Sequence, residues 1–343
     1  MINLKKITTA VMGSAFALGL AQATPAFADT LDDVKERGFL RCGTSEFKAG
    51  FAIPESDGWE GIEIDFCKAI TAAIFGDDSK NEVVPVTSKV RFTALTAREI
   101  DVLLKGTTWT YSRDAKLGVD FAAYFFFDGQ GFLVSKALGV TSAKELDGAT
   151  ICVSPGTTGE KNIADFFKVN GMEYTPVIIR SGPESLAALQ EGRCDVITND
   201  ISSVASSRLK FANPDDFVVL NDNIAKEPLS IYTRQNESRW NDIVKWTRNA
   251  LVEAEELGIT QANADDMLAN NNDPRVQRLL GATGEFGAML GLPNDFALNA
   301  IKAVGNYGEV FERNVGSGSK VGLSRELNRQ WSEGGLMFSP PFR

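Results

Sequence analysis

The chain has 343 residues, a formal net charge of −10 at neutral pH and no histidine. That acidic balance argues against nucleic acid or an anionic membrane surface as a partner. The missing imidazole excludes Ser-His-Asp and Cys-His nucleophile systems and removes the usual ligand of catalytic zinc or non-haem iron, so neither a metal nor a cofactor is expected.

Lys5 and Lys6 precede an apolar run from about Ile7 to Leu20, and Ala26-Phe27-Ala28 stands before Asp29. This is the pattern of a secretory signal peptide over residues 1–28, and its apolar run is shorter than the roughly 20 residues a membrane-spanning helix requires. Export to the periplasm is therefore expected. Removing the segment deletes two lysines and no acids, which takes the net charge from −10 to −12. The remainder exceeds what one core comfortably organises, and two α/β lobes are expected.

In the first lobe the spacing of apolar residues predicts a helix over 30–37 with Thr30 as N-cap, a strand over 39–43, a helix over 62–75, a strand over 83–86, a helix over 91–98 and a strand over 100–104. Residues 107–113, Thr-Thr-Trp-Thr-Tyr-Ser-Arg, follow as a loop. A strand over 121–127 leads to Gly129 and Gly131, which read as flanking the first crossover. The second series comprises strands at 150–153, 177–179 and 196–198, with helices from Glu160 and Pro183 between them and another over 201–210. Residues 228–234 read as the return crossover, and helices then dominate, over 240–257, 295–303 and 307–314. Residues 29–130 and 233–343 are assigned to lobe 1 and 131–232 to lobe 2. The βαβ rhythm implies largely parallel sheets with ligand-facing loops at the strand carboxyl ends.

Three such ends carry chemistry. Arg113 offers a planar fork of donors suited to a carboxylate, with Thr108 and Thr110 beside it. Gly156-Thr157-Thr158 opens a helix, where unpaired N–H groups favour an anion. Asp200 ends a strand and supplies the charge an ammonium needs, although such a position also suits a helix cap. Phe51 and Phe92 are candidates for stacking on a ligand side chain, and Arg91 and Lys48 for reading an acidic one. Four cysteines in an exported chain read as disulfides; of the three connectivities, Cys42 with Cys67 and Cys152 with Cys194 would staple neighbouring elements.

The runs Asp65-Phe66-Cys67, 91–95, 107–113, Asp128-Gly129-Gln130-Gly131-Phe132, Gly156-Thr157-Thr158, Gly192-Arg193-Cys194-Asp195 and 303–309 resemble the general L-amino-acid-binding proteins of polar amino acid ABC importers, periplasmic solute-binding family 3. The resemblance implies a two-lobe type II solute-binding fold that closes on one free L-amino acid and delivers it, as a monomer, to a membrane permease. It implies that Arg113 grips the α-carboxylate with Thr108 and the Thr158 backbone while Asp200 takes the α-ammonium. Departures at Lys105-Gly106 and at Glu46-Phe47-Lys48-Ala49-Gly50-Phe51 fall where the ligand side chain would lie. Two other readings remain: a dehydratase or lyase on the same fold, with Asp200 or Glu46 as proton donor, and a sensor that presents its ligand to a membrane receptor. Ser-x-x-Lys spacings at 207–210 and 317–320 lack the companion motifs of a serine nucleophile.

Overall fold

Two antiparallel strands run through the whole architecture of the computed structural model, which describes residues 29–343. The segment read as a signal peptide lies outside the described residues. In chain order the elements are α1 (Thr30–Arg37), β1 (Leu40–Thr44), β2 (Ile53–Glu55), β3 (Gly58–Glu60), α2 (Ile62–Phe75), β4 (Asn81–Pro85), α3 (Arg91–Thr96), β5 (Val102–Leu103), α4 (Tyr111–Lys116) and β6 (Val119–Ser135). Then come β7 (Thr150–Val153), α5 (Thr158–Val169), β8 (Thr175–Ile178), α6 (Gly182–Gln190), β9 (Val196–Asp200), α7 (Ile201–Arg208), β10 (Phe217–Val219) and β11 (Lys226–Arg234). Helices α8 (Ser238–Glu256), α9 (Ala264–Asn270), α10 (Pro274–Leu279), α11 (Phe286–Leu290), α12 (Phe296–Val304) and α13 (Tyr307–Asn314) follow.

The main sheet runs β4-β1-β5-β11-β6-β9-β7-β8, with β10 on β6 and a separate β2–β3 hairpin. Parallel pairs, β1 with β4 and β5 in one half and β7 with β8 and β9 in the other, flank the antiparallel β6–β11 ribbon. Each half therefore has the expected parallel βαβ core, and the crossovers make the whole sheet mixed. The first half buries Phe66, Trp240, Tyr307 and Phe311 among α2, α8, α12 and α13. In the second half, consecutive residues such as Phe132 and Leu133, or Val196 and Ile197, enter separate clusters because the strand period of two sends them to opposite faces.

Gly129 and Gly131 lie inside β6 rather than flanking the crossover, since the strand continues through both. They are glycines because neighbours press on the strand: a Cβ at Gly129 would lie 2.3 Å from the Asn223 side chain, and one at Gly131 would lie 3.0 Å from Ile201. The 107–113 segment is likewise not all loop. Thr110 accepts from the Arg113 backbone N–H at 3.4 Å and starts α4, which is too short to show a periodic pattern. At the chain's start the cap of α1 is Asp29 rather than Thr30. Both cystines form as expected, Cys42–Cys67 tying β1 to α2 and Cys152–Cys194 tying β7 to the segment before β9. Each closes a loop inside one half and contributes on the order of 3 kcal/mol.

Beyond α13, the chain returns to the ribbon. Phe127 faces Pro228 in the β6–β11 register, where the ladder asks no N–H of proline, and so the polar groups of Phe127 point away from β11. Asn328 takes both of them: its Oδ1 accepts from the Phe127 N–H at 2.7 Å and its Nδ2 donates to the Phe127 carbonyl at 2.9 Å. Asn328→Ala should leave a buried donor and acceptor unpaired and lower the unfolding free energy by about 2 kcal/mol, measured by urea denaturation. A loss within error of zero would show that water replaces the amide.

Candidate functional site

The cleft between the two halves gathers cations on one side. Arg91 opens α3 and Arg113 lies in the first turn of α4, only 3% and 8% exposed respectively. Arg113 Nη1 donates to the Thr108 carbonyl at 2.7 Å, which also accepts from the Tyr232 hydroxyl at 2.9 Å. Phe92 lies against both guanidiniums, 5.2 Å from Arg91 and 5.6 Å from Arg113, with its ring edge-on to Tyr232. Among the described residues neither arginine has an ion-pair partner, and the buried Arg91 Nε has no hydrogen-bond partner. Burial, joined by the charge of Arg113, pulls the Arg91 guanidinium below its ordinary range, and burial does the same to Arg113.

Three acids lie in the same region, and two of them, Asp200 and Glu227, act on both arginines. Asp200 occupies the N-cap position of α7 without capping it, and among the described residues neither of its carboxylate oxygens accepts a hydrogen bond. The helix is satisfied instead from β6: Asp128 accepts from the Ser202 N–H at 3.3 Å and from the Ser202 hydroxyl. This substitution frees Asp200 for the cleft, where its charge is felt by both arginines. Lys48 reaches over, with Nζ 3.9 Å from Asp200 Oδ2, 2.8 Å from the Ser202 hydroxyl and 3.5 Å above the Phe51 ring.

The third acid, Glu227 on β11, gave no signal in the sequence. Its Oε2 accepts from the hydroxyls of Thr108 and, at 2.9 Å, Thr158, while its Oε1 accepts from Asn162 Nδ2 at 2.8 Å. Burial raises its pKa, Asp200 raises it further, and the two threonines and Arg113 oppose the shift. Asp128 is pushed up to about 7, first by burial and then by Asp200.

Other predicted residues take different places. The hydroxyl of Thr157 donates to the Ser154 carbonyl at 2.8 Å and accepts from the Glu160 N–H at 3.2 Å, which makes it the cap of α5. Phe51 is fully buried, edge-on to Phe126 and covered by Lys48, so it supports a cation rather than presenting an open face. Trp109 stacks on Phe121 and lines an outer depression with Asp114 and Asp120. The two unusual loops are joined by buried Glu63, which accepts from the Ser45 N–H at 2.6 Å, the Ser45 hydroxyl at 2.8 Å and the Gly106 N–H at 2.9 Å.

The profile of the bacterial extracellular solute-binding proteins, family 3, matches residues 40–273. The chain is 52% identical to the glutamate/glutamine/aspartate/asparagine-binding protein BztA of Rhodobacter capsulatus over 95% of this chain and 97% of that one. It is 49% identical to the general L-amino acid-binding periplasmic protein AapJ of Rhizobium johnstonii, covering 98% and 99%. A periplasmic binding protein from Brucella ovis, solved with glutathione bound, is 50% identical and superposes with a TM-score of 0.90 over 92% of this chain and 100% of its own.

The coupling of Asp128 to Asp200 has a measurable sign. A raised carboxyl pKa means that the folded protein holds the proton more firmly than the unfolded chain, so this group's contribution to stability falls as pH rises from about 4 toward about 7. In Asp200→Asn the neighbouring charge is gone, and the Asp128 carboxyl should titrate at a lower pH, followed by its carbon chemical shift. An unchanged midpoint would place the two acids outside each other's field.

Proposed function

Because the chain belongs to the bacterial extracellular solute-binding proteins, family 3, we propose that it binds free L-amino acids in the periplasm and hands them unchanged to the permease of an ABC importer. The observation that carries this reading is the pair of buried guanidiniums, Arg91 and Arg113, without anionic partners among the described residues, opposite an uncapped Asp200. Cations in low dielectric are stabilised by an anion that brings its own hydrogen-bond acceptors, and a carboxylate matches the guanidinium fork. Asp200 answers with the charge that an α-ammonium needs. A zwitterion meets both demands at once.

Arg113 is assigned to the α-carboxylate, common to all amino acids. Arg91, from a different helix, is assigned to a second acceptor on the ligand, such as a side-chain carboxylate or amide. The similarity to a protein named for glutamate, glutamine, aspartate and asparagine supports that assignment. Glutathione, bound by the Brucella ovis relative, carries the same α-amino-acid head on its γ-glutamyl residue and belongs in the same ligand panel.

Isothermal titration with the amino acids and glutathione, with product analysis on the same samples, should show binding and intact ligand; turnover would move the protein to the dehydratase or lyase reading. Arg113→Lys should weaken every amino acid by a similar factor, since lysine cannot reproduce the fork. Arg91→Met should weaken glutamate and aspartate by about tenfold more than small neutral amino acids, a charge-assisted hydrogen bond being worth roughly 1.5–3 kcal/mol. Uniform losses in that variant would remove Arg91 from the side-chain subsite.

A further inference from the structure

The hydroxyls of the cleft converge on Glu227. Thr108 comes from the segment after β5 in one half, and Thr158 opens α5 in the other. Their oxygens are 3.3 Å apart, and both donate to the same carboxylate oxygen of Glu227. Asn162 donates to the other oxygen and also to Gln130 Oε1 at 2.9 Å. Gln130 in turn donates to the Gly159 carbonyl at 3.1 Å and to the Thr198 hydroxyl at 2.9 Å. The carboxylate is thus held by a network that reaches β6, β9 and α5.

A hydroxyl has a single hydrogen to give. Once that hydrogen goes to Glu227, each threonine offers only lone pairs to whatever enters the cleft, and lone pairs accept from an ammonium but repel a carboxylate. Asp200 stands close enough for its charge to act on Glu227. Glu227 and the two hydroxyl oxygens therefore make one acceptor corner, which adjoins Arg113 through the Thr108 carbonyl.

We infer that Glu227 is a positioning residue of the ligand site: by taking the hydroxyl hydrogens of Thr108 and Thr158, it turns both threonines into acceptors for the ligand's α-ammonium and leaves the α-carboxylate to Arg113. The inference rests on the amino-acid reading proposed above and refines it, since the family resemblance places Thr108 with the carboxylate. Because the two threonines belong to opposite halves, the acceptor corner is complete only when those halves meet.

The test uses L-glutamate and glutarate, which differ only in the α-ammonium, titrated into wild type, Glu227→Gln and Thr158→Val. Glutamine keeps the shape of Glu227 but loses the charge and frees hydroxyl hydrogens. Glutamate affinity should fall by at least about tenfold in both variants, the scale of one charge-assisted hydrogen bond, while glutarate changes by less than about twofold. Equal losses for the two probes would reduce Glu227 to a structural role and overturn the inference. Tighter binding of both in Glu227→Gln would overturn it too, by showing that freed hydroxyls serve the carboxylate. Wild-type protein that takes neither probe nor any other amino acid would refute the proposed function itself, an outcome distinct from equal losses.

Discussion

Two buried guanidiniums without an ion-pair partner among the described residues set the terms for the rest of this molecule. Desolvating an ion costs several kcal/mol even after the surroundings relax, and like charges add to that cost. Only partial relief comes from the protein: one carbonyl for Arg113, the ring of Phe92 for both, and the more distant charges of Asp200 and Glu227. The acidic side is built in the same way, with Asp128 and Glu227 both raised by burial and by Asp200. A fold that buries charges of both signs where its two halves meet is suited to a molecule carrying both signs.

The ribbon of β6 and β11 carries two of the acids. Asp128 and Glu227 face each other in its register. Asp128 holds the start of α7, while Glu227 holds threonines from both halves. One residue along, Asn328 covers the backbone of Phe127. Residues beyond the family match at 40–273 therefore reach the ribbon that runs between the halves. The extension meets the ribbon by hydrogen bonding and the first half's core by packing of α12 and α13.

What could be read from the chain depended on whether the cause was local. The range of α2 emerged from its apolar spacing, and the cystines from an even count of cysteines in an exported chain. Arg113 stood out because a Thr-rich segment after a strand is a setting for ligand groups. Residues whose reason lies far away in sequence stayed hidden. The continuity of β6 through two glycines depends on Asn223 and Ile201; the freedom of Asp200 depends on Asp128 taking its helix. Glu227 sits in a Lys-Glu-Pro stretch with no periodic pattern, and its partners are 119, 69 and 65 residues away. Phe51 was misleading for a related reason, since an aromatic beside a ligand-facing loop looks the same whether its ring faces the cleft or the core.

The bonds across the cleft suggest how closure would be governed. Lys48 donates to Ser202 and the Ser206 hydroxyl donates to the Ala49 carbonyl, each at 2.8 Å; Lys210 reaches the Phe47 carbonyl. Such bonds contribute on the order of 1 kcal/mol each because opening exchanges them for bonds to water. Against them stands the burial of the two arginines, of Asp128 and of Glu227, which opening to water would relieve. The protein's own terms thus oppose one another. A zwitterion would compensate buried charge of both signs, its α-carboxylate on Arg113 and its ammonium on the acids, and that gain would exist only when both halves contact it. Ligand then biases the equilibrium through differential contact with the closed form. The same logic makes a ligand with only one of the two charges a poor closing agent, because it compensates buried charge of one sign and leaves the other uncompensated.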